Sequence, residues 1–251
     1  MDLITVGTLA IIGLVGGFMA GLLGLGGGII IIPMLLYGAA IPLKLATGIS
    51  MVQAFFATVS GVMIHRRNRT INARLGVILG IAGVMGALVG SFASASMQPK
   101  LLLSVYFSLV ALSVLLMFFA PKQEKSGPVD VNLPLAFVMA LAVGVLAGML
   151  GVGGGFIMTP LMISVLRIPT RMAVGTSLLM IIPTTFSGGI GKIATGQFDL
   201  QIAIFVIVGS IIGAQFGGKV NAMVSPKVIR TTLLLLLIGI LIRTAFDLFG
   251  S

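Results

Sequence analysis

The chain has 251 residues, of which 58% are hydrophobic and only 8% are charged. A water-soluble domain carries about 25% charged residues, so this composition excludes a globular protein that covers its own surface in water. Net charge is +10, from 15 Lys+Arg against 5 Asp+Glu, and the basic residues fall in short stretches between apolar runs, which marks topology and lipid headgroup contact rather than nucleic acid; attraction of an anionic substrate is a second reading of the same excess.

Apolar runs of roughly 18–22 residues recur along the chain, the length of a membrane-spanning helix. The two-residue alternation of a membrane barrel is absent. The expected fold class is therefore an all-α polytopic membrane protein with no separate soluble domain. There are no cysteines, which removes disulfides, thiol chemistry and Cys-ligated metal. No Lys or Arg precedes the first apolar run and no small-residue cleavage site stands out, so that run reads as a spanning helix and not a signal peptide.

Residues 3–23 form the first predicted span, rich in small residues (Gly13, Gly16, Gly17, Ala20, Gly21) that allow close helix contact. After Gly24–Gly28 comes a short apolar run, 29–40, too short to span unless extended or tilted. Residues 45–64, 75–95 and 101–120 are full length, and the stretch 65–74 holds His65, Arg66, Arg67, Arg69 and Arg74. A polar linker, 122–132, divides an N-terminal repeat, 1–121, from a C-terminal one, 133–251. The second half reads as spans at 133–150, 172–190, 202–220 and 228–248, with a short run at 156–166.

One block organises this pattern. Gly21–Pro33 (GLLGLGGGIIIIP) returns 127 positions later at Gly148–Pro160 (GMLGVGGGFIMTP), with every glycine and the proline at the same spacing. The register continues without a gap through Pro42/Pro169, Ala46/Ala173, Gly48/Gly175, Ser50/Ser177, Gly86/Gly213, Gly90/Gly217 and Pro99/Pro226. The chain is a tandem duplication. If each short segment crosses, a repeat has five crossings, ten segments in all, and the halves are inverted. If each is re-entrant, there are eight spans and the halves are parallel. Loop charge favours inversion: with ten segments one face collects Arg66, Arg67, Arg69, Arg74, Arg167 and Arg171 among others, and the opposite face keeps Lys44, Lys100, Lys192 and Arg243.

Glycine-interrupted segments in matching places of two halves are the best sequence pointer to a transporter site. Gly26, Gly27, Gly28, Gly153, Gly154 and Gly155 each lie just before a short helix, whose N-terminus offers free N–H groups to an anion. Small-residue helix packing explains the same glycines without a ligand. Hydroxyls and an amide follow on the next helix: Thr47, Ser50 and Gln53 in the first half, Thr176, Ser177, Thr184 and Thr185 in the second, with Thr159 inside the repeated block. Each such group equally bonds its own helix in many membrane proteins; Ser50/Ser177 is the pair retained in both copies. Lys192 aligns with His65 and either snorkels or lines an anion pathway. His65 reads as decoration of a membrane edge beside Arg66 and Arg67. No carboxylate lies deep in a predicted span, so no intramembrane acid for proton coupling is evident, and no metal or cofactor motif is present. A dinucleotide fingerprint fails because Ile29 stands where its third glycine belongs. An intramembrane serine hydrolase fails for want of a base, the lone His lying at an edge.

The repeated Gly-x-x-Gly-x-Gly-Gly-Gly-x-x-x-x-Pro block and the Ala-x-Gly-x-Ser segments at 46–50 and 173–177 resemble the TauE/SafE sulfite exporter family over nearly the whole chain. The resemblance implies a multi-pass permease of the prokaryotic inner membrane for small sulfur-containing anions, such as sulfite, sulfoacetate or other organosulfonates. Its expected partners are the anion, the bilayer and a coupling proton or ion. Alternating access about a midplane site is the expected mechanism; a passive anion channel or a membrane subunit of a larger complex is the alternative.

Overall fold

The computed structural model describes residues 3–119 and 131–249. Ten α-helices make up the described chain: α1 Leu3–Leu23, α2 Gly28–Pro33, α3 Leu43–Arg67, α4 Ala73–Ser96, α5 Pro99–Phe118, α6 Leu133–Leu150, α7 Gly155–Ser164, α8 Thr170–Ala194, α9 Leu200–Met223 and α10 Pro226–Phe249. Eight of the described helices are long and apolar enough to cross a membrane, and α2 and α7 are the short exceptions. The protein is an all-α, multi-pass membrane protein. Of the polar linker at 122–132, residues 122–130 lie outside the described residues; Asn132 caps α6, accepting from the Leu135 N–H at 3.0 Å.

Helix boundaries follow local chemistry. Pro42 and Pro169 stand at the N-caps of α3 and α8 with nearly the same backbone angles. Asn72 and Asp199, again 127 apart, cap α4 and α9 by accepting N–H groups of the first turn. The α2 helix loosens at Pro33 into one π-helical turn, Met34–Gly38. At 1.5 Å per residue α7 is about 15 Å long, half of a bilayer core.

The two halves interlock. α1 packs along α9 in parallel: Gly13 lies on Val206, Gly17 on Ser210 and Gly21 on Ala214. From the other side, Gly209 lies on Ala10, Gly213 on Leu14 and Gly217 on Phe18. A Cβ at Gly13 would stand 2.1 Å from the Val206 carbonyl oxygen, so the backbones touch and only glycine fits. The same arrangement recurs between α4 and α6, where Gly144 meets Gly83 and Gly148 meets Ala87. Each repeat's first helix is thus seated on the other repeat's third long helix.

Helix directions follow from the contacts. α2 turns back along α1, with Gly27 against Gly16 and Ala20, and Leu35 clustered with Leu9 and Ile12. α3 then runs alongside α1: Ile41, Ala46 and Ile49 cluster with Leu9 and Ile12, while Gly61 and His65 reach Gly21. α3 and α8 occupy the middle and run antiparallel, with Met51 over Gly188 and Leu178 over Gly61.

Candidate functional site

The glycine segments end the first helix of each repeat and cross one another between α3 and α8. Gly24, Gly26 and Gly27 have φ of 71°, 77° and 81°, and Gly151, Gly153 and Gly154 have 72°, 72° and 80°. L-residues rarely adopt this left-handed region, and it is what lets the chain reverse within a few residues. Gly28 abuts Val152, and Gly155 abuts Gly24 and Leu25, so each segment lies against the other. Gly24 rests on Val174 of α8, and Gly151 rests on Thr47 of α3. Gly26 and Gly153 both face Ala54 and Ile181, themselves an equivalent pair. Gly27 and Gly154 instead press on their own first helices, α1 and α6, so close packing accounts for them.

The polar groups divide unequally around this crossing. In the second repeat they are engaged. Ser177 donates to the Gly24 carbonyl at 2.9 Å, and Thr159 donates to Ser177 at 3.0 Å. Thr176 accepts from the Asn72 N–H, which ties it to the α3–α4 loop. Thr184 and Thr185 donate back to Met180 and Ile181 of their own helix. In the first repeat Ser50 and Gln53 are fully buried, yet Ser50 Oγ, Gln53 Oε1 and Gln53 Nε2 have no hydrogen-bond partner in the protein. Ser50 Oγ lies at Gly28, where a Cβ would come within 2.7 Å of it. Gln53 is one turn further along α3 on the neighbouring face, beside Ala54. A buried polar group without a partner costs about 1–3 kcal/mol, and three such atoms lie on one turn of α3.

Lys192 lies at the Ser50 end of this stripe. Its side chain is fully buried. Nζ is 2.7 Å from Ser94 Oγ, 2.9 Å from Gln197 Oε1, 3.0 Å from the Met149 carbonyl and 3.2 Å from Thr47 Oγ1. Thr47 precedes Ser50 by about one turn, so Lys192, bonded to Thr47, and Ser50, set against Gly28, lie on one stretch of α3 that meets the glycine crossing. None of the four oxygens around Nζ belongs to a carboxylate. Among the described residues, Asp199 caps α9 and Asp247 meets Arg243 and Tyr37 at an exposed corner. Described groups of three or more His, Cys, Asp or Glu placed to hold a metal are absent.

His65 is buried, contrary to the edge position expected for it. α3 continues to Arg67, past the predicted end at 64, and turns His65 inward while Arg66 and Arg67 stay exposed. Nε2–H donates to the Gly21 carbonyl at 3.0 Å, and Nδ1 lies 3.0 Å from Thr70 Oγ1. The sequence reading missed Ser94 and Gln197. A signal existed, because both align with polar residues of the other half, Asn221 and Thr70.

A multi-pass helical membrane protein, with two glycine-broken segments crossing between its central helices and unpaired polar groups beside them, has the construction of a membrane transporter. The family model for the sulfite exporter TauE/SafE matches residues 9–244, and the chain belongs to that family. It is 31% identical to the probable membrane transporter protein YdhB of Bacillus subtilis, over 87% of this chain and 91% of that protein. It is 33% identical to a probable membrane transporter protein of Xylella fastidiosa, over 80% and 79% of the two chains. A probable membrane transporter protein of Methanocaldococcus jannaschii is 24% identical over 90% of each.

Proposed function

We propose that this protein is a secondary carrier of small sulfur-containing anions, sulfite or organosulfonates, which it moves by alternating access. The observation that carries the reading is the set of unpaired buried atoms on one turn of α3, Ser50 Oγ, which lies at Gly28 of the glycine crossing, and the Gln53 amide three residues on. The backbone N–H groups of Gly26–Gly28 and Gly153–Gly155 add donors with no side chain of their own in the way. Lys192 supplies positive charge with no carboxylate among its contacts, in surroundings where charge acts strongly. Ser177, Thr159 and Thr176 hold the backbone of the site in place.

Alternating access requires the site to open to either face. Support comes from the antiparallel course of α3 and α8, which are equivalent in the duplication, and from the parallel pairs α1/α9 and α4/α6. Two repeats related in this way are inverted in the membrane, and rocking one against the other exposes a central site to each side in turn. A passive anion channel is the alternative, and kinetics separate the two. The test is uptake of radiolabelled sulfite and sulfoacetate into proteoliposomes, under pH gradients of both signs. Saturable uptake accelerated by unlabelled anion on the far side supports a carrier. Non-saturating flux without this acceleration supports a channel, and no uptake by folded protein removes the sulfur-anion assignment.

A further inference from the structure

We propose that the Gln53 site selects small monoanions that carry a hydrogen-bond donor as well as acceptor oxygens. Hydrogensulfite and amino- or hydroxy-bearing sulfonates have this character; acceptor-only anions of the same size do not. The inference rests on the anion-carrier reading above and adds to it the chemical class of the substrate.

The argument starts from the amide. Gln53 is fully buried, and both its Oε1 and its Nε2 are without a partner in the protein. A carboxamide presents two N–H donors at one end and an acceptor at the other. Because both ends are unpaired, the conclusion does not depend on which way the amide is turned. An anion whose surface is all acceptor oxygen satisfies Nε2 and the Ser50 hydroxyl. It leaves Oε1 either orphaned or facing another electron-rich oxygen, in a dry interior where that is costly. A ligand with an O–H or N–H next to its anionic oxygens satisfies both ends at once.

One described donor on the same turn of α3 is unpaired, the Ser50 hydroxyl, and its single proton serves either Oε1 or the anion, not both. Lys192 Nζ is directed at four other oxygens. The Ser177 hydroxyl is committed to the Gly24 and Val174 carbonyls. The second repeat has Met180 where the first has Gln53, so the discrimination falls on one side chain.

Sulfamate and methanesulfonate test this directly. They are close in size and shape and both are monoanions at neutral pH, but the amino group of sulfamate donates where the methyl group cannot. Uptake of each radiolabelled anion is measured in proteoliposomes of the wild type, of Gln53→Met and of Gln53→Leu. The wild type is expected to favour sulfamate by about tenfold or more, the scale of one unsatisfied buried polar group. Either variant is expected to erase the preference by slowing sulfamate. Equal uptake of the two anions by the wild type overturns the proposal while leaving the sulfur-anion function standing. A preference that survives in both variants removes the role of Gln53. If the wild type takes up neither anion but does take up sulfite, the proposal alone fails; if it takes up no sulfur anion, the proposed function fails with it.

Discussion

His65 and Lys192, 127 residues apart, hold equivalent places. Each ties the inner face of a central helix to a carbonyl at the end of its own repeat's first helix, His65 to Gly21 and Lys192 to Met149, both at 3.0 Å. Each also reaches the residue five positions on, Thr70 or Gln197. Because α3 and α8 run antiparallel, the two ties lie at opposite ends of the helix pair. Eleven residues separate them from Ala54 and Ile181, about 16 Å along the helix. They bracket the glycine crossing, with a buried imidazole at one end and a buried amine at the other.

Lys192→Met is expected to lower both stability and transport. It leaves the Met149 carbonyl and Gln197 Oε1 buried without this donor, and each buried group so orphaned costs about 1–3 kcal/mol. Uptake by the protein that still folds should fall roughly tenfold or more. A large drop in the midpoint accompanied by normal uptake of the surviving protein would make Lys192 a structural tie alone.

Ser50 and Ser177 are expected to respond in opposite ways to loss of the hydroxyl. Ser177→Ala removes a donor from the Gly24 carbonyl, and the fold should lose about 1–2 kcal/mol. Ser50→Ala breaks no hydrogen bond within the protein, so stability should be unchanged or slightly higher, with uptake strongly reduced. Detergent-dependent thermal unfolding and proteoliposome uptake on the same preparations check both halves of this expectation.

The glycine crossing has its own test. A methyl group at Gly28 would stand 2.6 Å from Val152 Cα, backbone that cannot yield without parting the two segments. Gly28→Ala should cost about 1–3 kcal/mol, typical of overpacking, and should abolish transport. Gly7, on α1, has open space at its Cβ position, and Gly7→Ala should behave as the wild type in both unfolding and uptake.

Much of this architecture was legible in the chain. The glycines that the 127-residue register pairs adopt matching backbone angles, because a reversal at Gly24–Gly27 needs the same residues wherever it recurs. The short segments after each block and the full-length spans followed from hydrophobic length alone. What periodicity could not show was which polar groups are already engaged. Ser50 and Ser177 are identical in sequence, yet Ser177 is held by Gly24 and Thr159, and Ile32 stands where Thr159 would be in the other half. The burial of His65 was hidden for a similar reason: its neighbours Arg66 and Arg67 suggested a helix end, and only the contact with Gly21 fixes its side chain inward.

The most direct test of a carrier site at the glycine crossing uses the absence of native cysteine. Ser50→Cys introduces a single thiol of nearly the same size beside Gly28, and its reaction with a membrane-impermeant thiol reagent is followed from each face of the membrane in turn. The account predicts labelling from both faces, slowed in each case by sulfoacetate. Labelling rates that are the same with and without the anion would contradict a binding site at this position.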